Sequence, residues 1–196
     1  MVEAPGTAPG SAQSITQSIY CYSCKNNFAI INQTMIKAIM AVDDDGGVSK
    51  RGSMPWPKNS NDLKRFKKYT INNVVIMGRL TWIDPFMPSP LKNRINVLIT
   101  NQDKVKYPGA DEYISGDLIS KIKLINTKYE KQDLFIIGGP KIIDQLFVLV
   151  KEFYLTRIYG KFDCDKKIDL RKIEDAMTLE EKIINDKICH FEIWKR

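Results

Sequence analysis

Five apolar runs constrain the kind of sheet this chain can build. Residues 35–42, Val74-Val75-Ile76-Met77, residues 94–100, Leu134-Phe135-Ile136-Ile137 and residues 153–158 are short and rich in Val, Ile, Leu and Phe. They lack the strict apolar/polar alternation of a half-buried strand. A strand that is apolar on both faces needs cover on both, as in a parallel sheet flanked by helices. The segments between the runs supply that cover. Residues 61–70, 116–129 and 141–150 read as helices, and Gly78-Arg79-Leu80-Thr81-Trp82 opens a short one that Pro85 and Pro88 stop. The C-terminal stretch, including residues 189–194, reads as antiparallel edge strands. The expected fold is therefore α/β: one domain with a central, mostly parallel twisted sheet, an antiparallel C-terminal edge and flanking helices.

That domain is expected over residues 35–196. Residues 1–34 are rich in Ser, Thr, Gln, Asn, Pro and Gly, have no sustained apolar stretch and contain no Arg. This argues against a secretory signal and a mitochondrial presequence, and the segment is expected to be a flexible extension, native or not. Glu3 and Lys25 cancel within it, so the net charge of +7 lies entirely in residues 35–196. Such a domain attracts anions: nucleic acid, acidic membrane, or phosphorylated and carboxylated small ligands. No apolar run approaches the roughly 20 residues of a membrane span, so no membrane is expected. Cys21 and Cys24 form a CxxC, but no second pair accompanies it and His190 is the only histidine. No metal site is expected from so few ligands. Cys21, Cys24, Cys164 and Cys189 read as free thiols in a reducing, cytoplasmic compartment.

Three features carry chemistry. Met54-Pro55-Trp56-Pro57 makes a stiff loop, and six positions after Trp56 comes Asp62, at the first turn of a helix whose Leu63 and Phe66 are apolar. Taken alone, Asp62 has two readings. It could cap a surface helix, or it could be a carboxylate that Leu, Phe and Trp shield from water, able to handle a proton near neutral pH. Two strand-to-helix junctions, Gly78-Arg79 and Gly138-Gly139-Pro140-Lys141, could each receive a phosphate, with backbone N–H groups and a cation just inside the helix. Neither is a P-loop or a GxGxxG. Two on one sheet point to one ligand with more than one phosphate. Arg94, ahead of an apolar strand, could grip a carboxylate bidentately. Asp43-Asp44-Asp45 reads as a solvated turn rather than a metal site, and no GxSxG elbow accompanies the single histidine.

These residues together resemble dihydrofolate reductase. The likeness runs in order through Met35-Ile36-Lys37-Ala38-Ile39-Met40-Ala41, Met54-Pro55-Trp56, Asp62-Leu63-Lys64-Arg65-Phe66-Lys67 and Val75-Ile76-Met77-Gly78-Arg79-Leu80-Thr81-Trp82. It continues through Pro90-Leu91-Lys92-Asn93-Arg94, Ile136-Ile137-Gly138-Gly139, Phe153-Tyr154-Leu155-Thr156 and Phe191-Glu192-Ile193. The resemblance implies reduction of dihydrofolate by NADPH, with hydride passing to C6 and a water-delivered proton to N5. It implies that Asp62 hydrogen-bonds the pterin N3 and 2-amino group with Thr156 as its partner, and that Ile39 and Met40 touch the pterin through their backbone. Met54 and Trp56 would belong to a loop closing over substrate and nicotinamide, Trp56 also holding a water near Asp62. Leu63, Phe66 and Leu91, with Phe86 beyond them, would wall the rings, and Arg94 would clamp the glutamate α-carboxylate. Gly78, Arg79, Leu80 and Thr81 would bind the adenosine phosphates, Arg79 beside the 2′-phosphate. Gly138 and Gly139 match a pair that the family joins by a cis peptide. Met40, Ala41, Val48, Thr100, Asn101, Ile137, Pro140, Lys141 and Ile142 complete the cofactor contacts the resemblance implies. Pro140 stands where the family has a third glycine, Ile143 where a Tyr is common, and Ser49 where the loop usually has Gly.

The implied partners are dihydrofolate and antifolate inhibitors, bound by a monomer. Two rivals expect other features. A pyrimidine reductase of riboflavin synthesis would share the fold and cofactor without the Trp56–Asp62–Phe66 set or Arg94. A nucleic-acid-binding module would interleave its cations with exposed aromatics, whereas Lys and Arg here gather at helix starts and strand ends.

Overall fold

The structure is a computed structural model and describes residues 34–184 and 186–196. The leader assigned to residues 1–34, with Cys21 and Cys24, lies outside the described residues except for Thr34. The elements in chain order are β1 (Ile36–Val42), β2 (Gly47–Ser49), α1 (Ser60–Thr70), β3 (Val74–Gly78), α2 (Arg79–Trp82), β4 (Ile95–Ile99) and β5 (Glu112–Ile114). They continue with α3 (Leu118–Lys128), β6 (Leu134–Gly138), α4 (Pro140–Leu146), β7 (Glu152–Ile158), β8 (Lys166–Lys167), α5 (Leu170–Ala176), β9 (Thr178–Ile184) and β10 (Cys189–Lys195).

Eight strands form one sheet in the order β5-β4-β3-β6-β1-β7-β10-β9. The first six run parallel, while β10 pairs antiparallel with both β7 and β9. The two-sided burial expected of the apolar runs is observed. Alternate residues go to opposite faces of the sheet: Val74, Ile76, Leu134 and Ile136 join one core cluster, and Val75, Met77, Phe135 and Ile137 another. Because β3 and β6 are neighbours, the two glycine junctions at their C-terminal ends stand side by side, at the edge where ligands of open α/β sheets bind.

Helix ends follow local chemistry. Asn59 caps α1, its side-chain oxygen accepting from the amides of Asn61 and Asp62. Asp117 and Asp169 cap α3 and α5 in the same way. Pro140 occupies the first turn of α4, where its missing N–H costs nothing. That helix ends at Leu146 and tightens into a 3₁₀ turn over Phe147–Leu149, shorter than the helix expected over residues 141–150. Four short elements show no periodic signal. β5 has three residues, the β2–β8 ribbon has strands of three and two, and α5 is a short helix in which only Ile173 is buried.

The 43–57 loop is tied down at its root, which corrects the reading of Asp43-Asp44-Asp45 as a solvated turn. Asp44 and Asp45 are exposed, but Asp43 is buried. Its carboxylate accepts from the amides of Gly47 (2.6 Å), Asp45 (2.9 Å) and Phe162 (3.2 Å), and the Cys164 thiol lies at 3.5 Å. Burial alone would raise the Asp43 pKa, but these donors outweigh it and hold the carboxyl below its usual value.

Candidate active site

A cleft of about 1590 Å³ opens along the C-terminal edge of the parallel strands. Asp62 stands in its wall. Because Asn59 takes the capping role, the Asp62 carboxylate is left for other partners, which decides against the helix-cap reading. Burial raises its pKa, opposed by a hydrogen bond with the Thr156 hydroxyl and by the charge of Arg65. Leu63 and Phe66 line the cleft beside it, as do Ile39 and Met40 from β1. Leu91, buried, and Phe86, 72% exposed, line it as well.

Two residues expected at the chemistry do not line this cleft. Thr156 is 1% exposed and sits behind Asp62 on β7. Trp56 is buried too, its ring meeting Phe162 edge-on at 5.7 Å in a cluster with Ile158, Cys164 and Cys189. The indole thus anchors the loop, while Met54, Val48 and Ser49 from the same loop face the cleft.

Arg94 also lines the cleft. Its Nε and Nη2 donate to Thr70 Oγ1 (3.3 and 3.2 Å) and its Nη1 to the Lys92 carbonyl (2.7 Å). Among the described residues it pairs with no carboxylate, and burial lowers its pKa.

The other arm of the cleft is built from backbone. Gly78 starts α2 and Gly139 starts α4, and neither helix has a side-chain cap, unlike α1, α3 and α5. The first-turn N–H groups of α2 are therefore available to an anion, whereas in α4 Pro140 has none and Ile142 already donates to the Gly139 carbonyl (2.9 Å), leaving that of Lys141. Gly138 has φ +136°, and a Cβ there would come within 3.1 Å of Thr81 Oγ1. Only glycine fits that position. The Gly138–Gly139 peptide is cis. Arg79, Leu80, Thr81, Ala41, Thr100, Asn101, Ile137, Pro140, Lys141 and Ile142 all line this arm.

The comparisons with known proteins fit this geometry. A family model described as dihydrofolate reductase matches residues 35–194. The chain belongs to the dihydrofolate reductase family. It is 31% identical over 185 residues to a viral dihydrofolate reductase of Saimiriine herpesvirus 2 (strain 488), covering 83% of this chain and 85% of that one. It is 31% identical to the dihydrofolate reductase of Rattus norvegicus over 153 residues, 70% of this chain and 81% of the other. A solved dihydrofolate reductase from Enterococcus faecalis, complexed with NADP(H) and RAB-propyl, superposes with a TM-score of 0.68. That match is 26% identical and covers 84% of this chain and 97% of that one. As a member of the family, the chain is an oxidoreductase that reduces dihydrofolate with NADPH.

The cleft also gathers residues that sequence reasoning passed over. Lys67 lines it one helical turn from Leu63, a spacing that could have flagged it. Gln102, the start of α3 from Gly116 to Ile119, and Lys92 extend its rims. Lys166 enters through the β2–β8 pairing, which no periodicity announces. Arg65, behind Asp62, is a residue that no pattern in the chain singles out.

No helix among the described residues is long and apolar enough to cross a membrane.

Proposed function

We propose that the two arms of the cleft divide the reaction between them. Asp62 holds the pterin through N3 and the 2-amino group, and Arg94 holds the glutamate α-carboxylate. The backbone arm seats NADPH with its pyrophosphate at the starts of α2 and α4. The reading rests on one observation: a single cleft joins a desolvated carboxylate to two uncapped helix starts on adjacent strands. Its volume suits two ligands, since one drug-sized ligand fills roughly 300–1,000 Å³. The cofactor's fit rests on the uncapped N–H groups at the start of α2, on the Lys141 N–H of α4 and on the space kept at Gly138, with Arg79 beside the expected 2′-phosphate.

When bound, NADPH supplies the hydride that reaches C6. The chain's residues do the rest. Leu63, Phe66, Leu91 and Phe86 wall the rings and exclude water, which strengthens the Asp62–pterin contact. Asp62 polarises the pterin, and water delivers the proton to N5. Met54 closes over the reacting rings while Trp56 anchors its loop. Antifolates with a basic heterocycle would pair with the same carboxylate. A monomer in a reducing cytoplasm fits the free, buried Cys164 thiol.

NADPH oxidation followed at 340 nm tests the assignment of the tail end. Arg94→Leu should raise the Michaelis constant for dihydrofolate by about 2–4 kcal/mol in binding terms, since a charge-assisted pair is lost. Dihydrobiopterin, which has no glutamate tail, should be reduced equally by both proteins. Equal loss on both substrates would give Arg94 a structural role instead.

A further inference from the structure

Arg65 is a buried cation that the reaction described above leaves without a role. It is 8% exposed, on the sheet-facing side of α1 one turn after Asp62, and it does not line the cleft. Its Nη1 donates to the Leu155 carbonyl (3.0 Å) and to Thr156 Oγ1 (3.2 Å), and its Nη2 to the Glu192 carbonyl (3.0 Å). The guanidinium carbon lies 4.6 Å from the Phe191 ring centroid and 5.7 Å from those of Tyr69 and Tyr154. Among the described residues no carboxylate reaches it at ion-pair distance. The Glu192 side chain alternates to the other sheet face, where its carboxylate meets His190 Nε2 (2.8 Å) and Trp194 Nε1 (2.9 Å).

A guanidinium can only donate, so Thr156 Oγ1 is the acceptor in their contact. The single hydroxyl proton of Thr156 is then turned away from Arg65, and Asp62, whose carboxyl pKa Thr156 acts to lower, is the acceptor on offer. Two carbonyls and a ring fix the Arg65 fork, and the fork sets which way the Thr156 hydroxyl proton can point. We propose that Arg65 is a positioning residue: acting through Thr156, it aims the Asp62 carboxylate into the cleft, and its charge offsets the burial of that anion. The inference rests on the reading of Asp62 as the pterin-binding carboxylate.

The electrostatic surroundings agree. Burial disfavours the charge of Arg65, while Tyr69 and Asp62 on α1, Tyr154 on β7 and Glu181 on β9 favour it. Facing Asp62 are Arg65 on its own helix and Thr156 on β7, and both act to lower the carboxyl's pKa. Loss of the Arg65 charge by itself raises the Asp62 midpoint, so positioning is read in the dihydrofolate constant and in its coupling to Thr156.

The test is a pH titration of the Asp62 carboxyl by carbon NMR on the full chain, with the Michaelis constant for dihydrofolate and the dissociation constant for NADPH measured alongside. Arg65→Met and Arg65→Gln, the second keeping a donor for the Leu155 carbonyl, should each move the Asp62 midpoint upward by roughly one unit. They should raise the dihydrofolate constant and leave NADPH binding unchanged, and Arg65→Lys should restore most of the shift. Thr156→Val should raise the dihydrofolate constant too, and adding Arg65→Gln to it should cost less than in the native background. If Arg65→Met does not fold, Arg65→Gln and Arg65→Lys decide the matter. Folded variants whose Asp62 titration and dihydrofolate constant match the native protein would overturn the proposal. The underlying reading fails separately, if Asp62→Asn leaves dihydrofolate turnover unchanged.

Discussion

Asp43, at the root of the 43–57 loop, and Asp62, in the wall of the cleft, are both shielded from water, and the fold drives them in opposite directions. Asp43 meets three backbone amides and a thiol, so its carboxyl titrates below its usual value in spite of burial. Asp62 receives a hydroxyl and the charge of a neighbouring guanidinium, and burial wins, so its carboxyl titrates above. The number of donors aimed at the anion separates the two. The first carboxylate is satisfied by the protein and serves structure. The second is left under-satisfied at an open cleft, where a ligand's N–H groups can complete it. Sites that bind and polarise substrates are commonly made this way, at some cost in stability.

Exchange for asparagine should separate the pair most clearly in rate. Asp62→Asn should slow single-turnover hydride transfer by roughly 10²–10⁴-fold at pH 7, the range of a positioned acid–base group, and recover at low pH where dihydrofolate arrives protonated. Asp43→Asn should instead be read in stability. Its amide turns donors towards donors, and unfolding by urea should show a loss of about 1–3 kcal/mol. The dependence on pH should also be opposite. Asp43 has a lowered pKa, so its stabilisation is present above the ordinary aspartate value of about 3.9 and disappears as pH falls through its folded value. Asp62 has a raised pKa, so its anion works against folding above about 3.9. Asp62→Asn should therefore be at least as stable as the native chain at pH 7, with the difference closing in acid. A melting temperature lowered equally by both substitutions would break the comparison. The smallest effect is expected from beginning the chain at Met35, because the described partners of both carboxylates lie in residues 35–196. Turnover and melting temperature should stay as they are. A loss of either would show that residues 1–34 support the domain.

The same contrast explains what could be read from the chain alone. The parallel sheet was legible because strands buried on both faces leave near-continuous apolar runs such as Val74–Gly78 and Leu134–Gly138. The backbone arm was legible through its glycines, whose roles depend on having no side chain. Asp62 was legible through its neighbours Leu63 and Phe66 on one helix. The partners of Asp43 were not, because Phe162 and Cys164 lie more than a hundred residues away and arrive by tertiary pairing. Arg65 and Lys166 were hidden for the same reason: a cation in a basic, polar segment looks like a solvated one until the sheet is folded beneath it. β5, β8 and α5 were too short to show a period.

A carbon NMR titration of both carboxyl groups in the ligand-free protein tests the central claim most directly. Asp62 should titrate above the ordinary aspartate value of about 3.9 and Asp43 below it, within one sample. An Asp62 that titrates at or below that value would contradict the claim, because the cleft would then hold a carboxylate the protein had already satisfied.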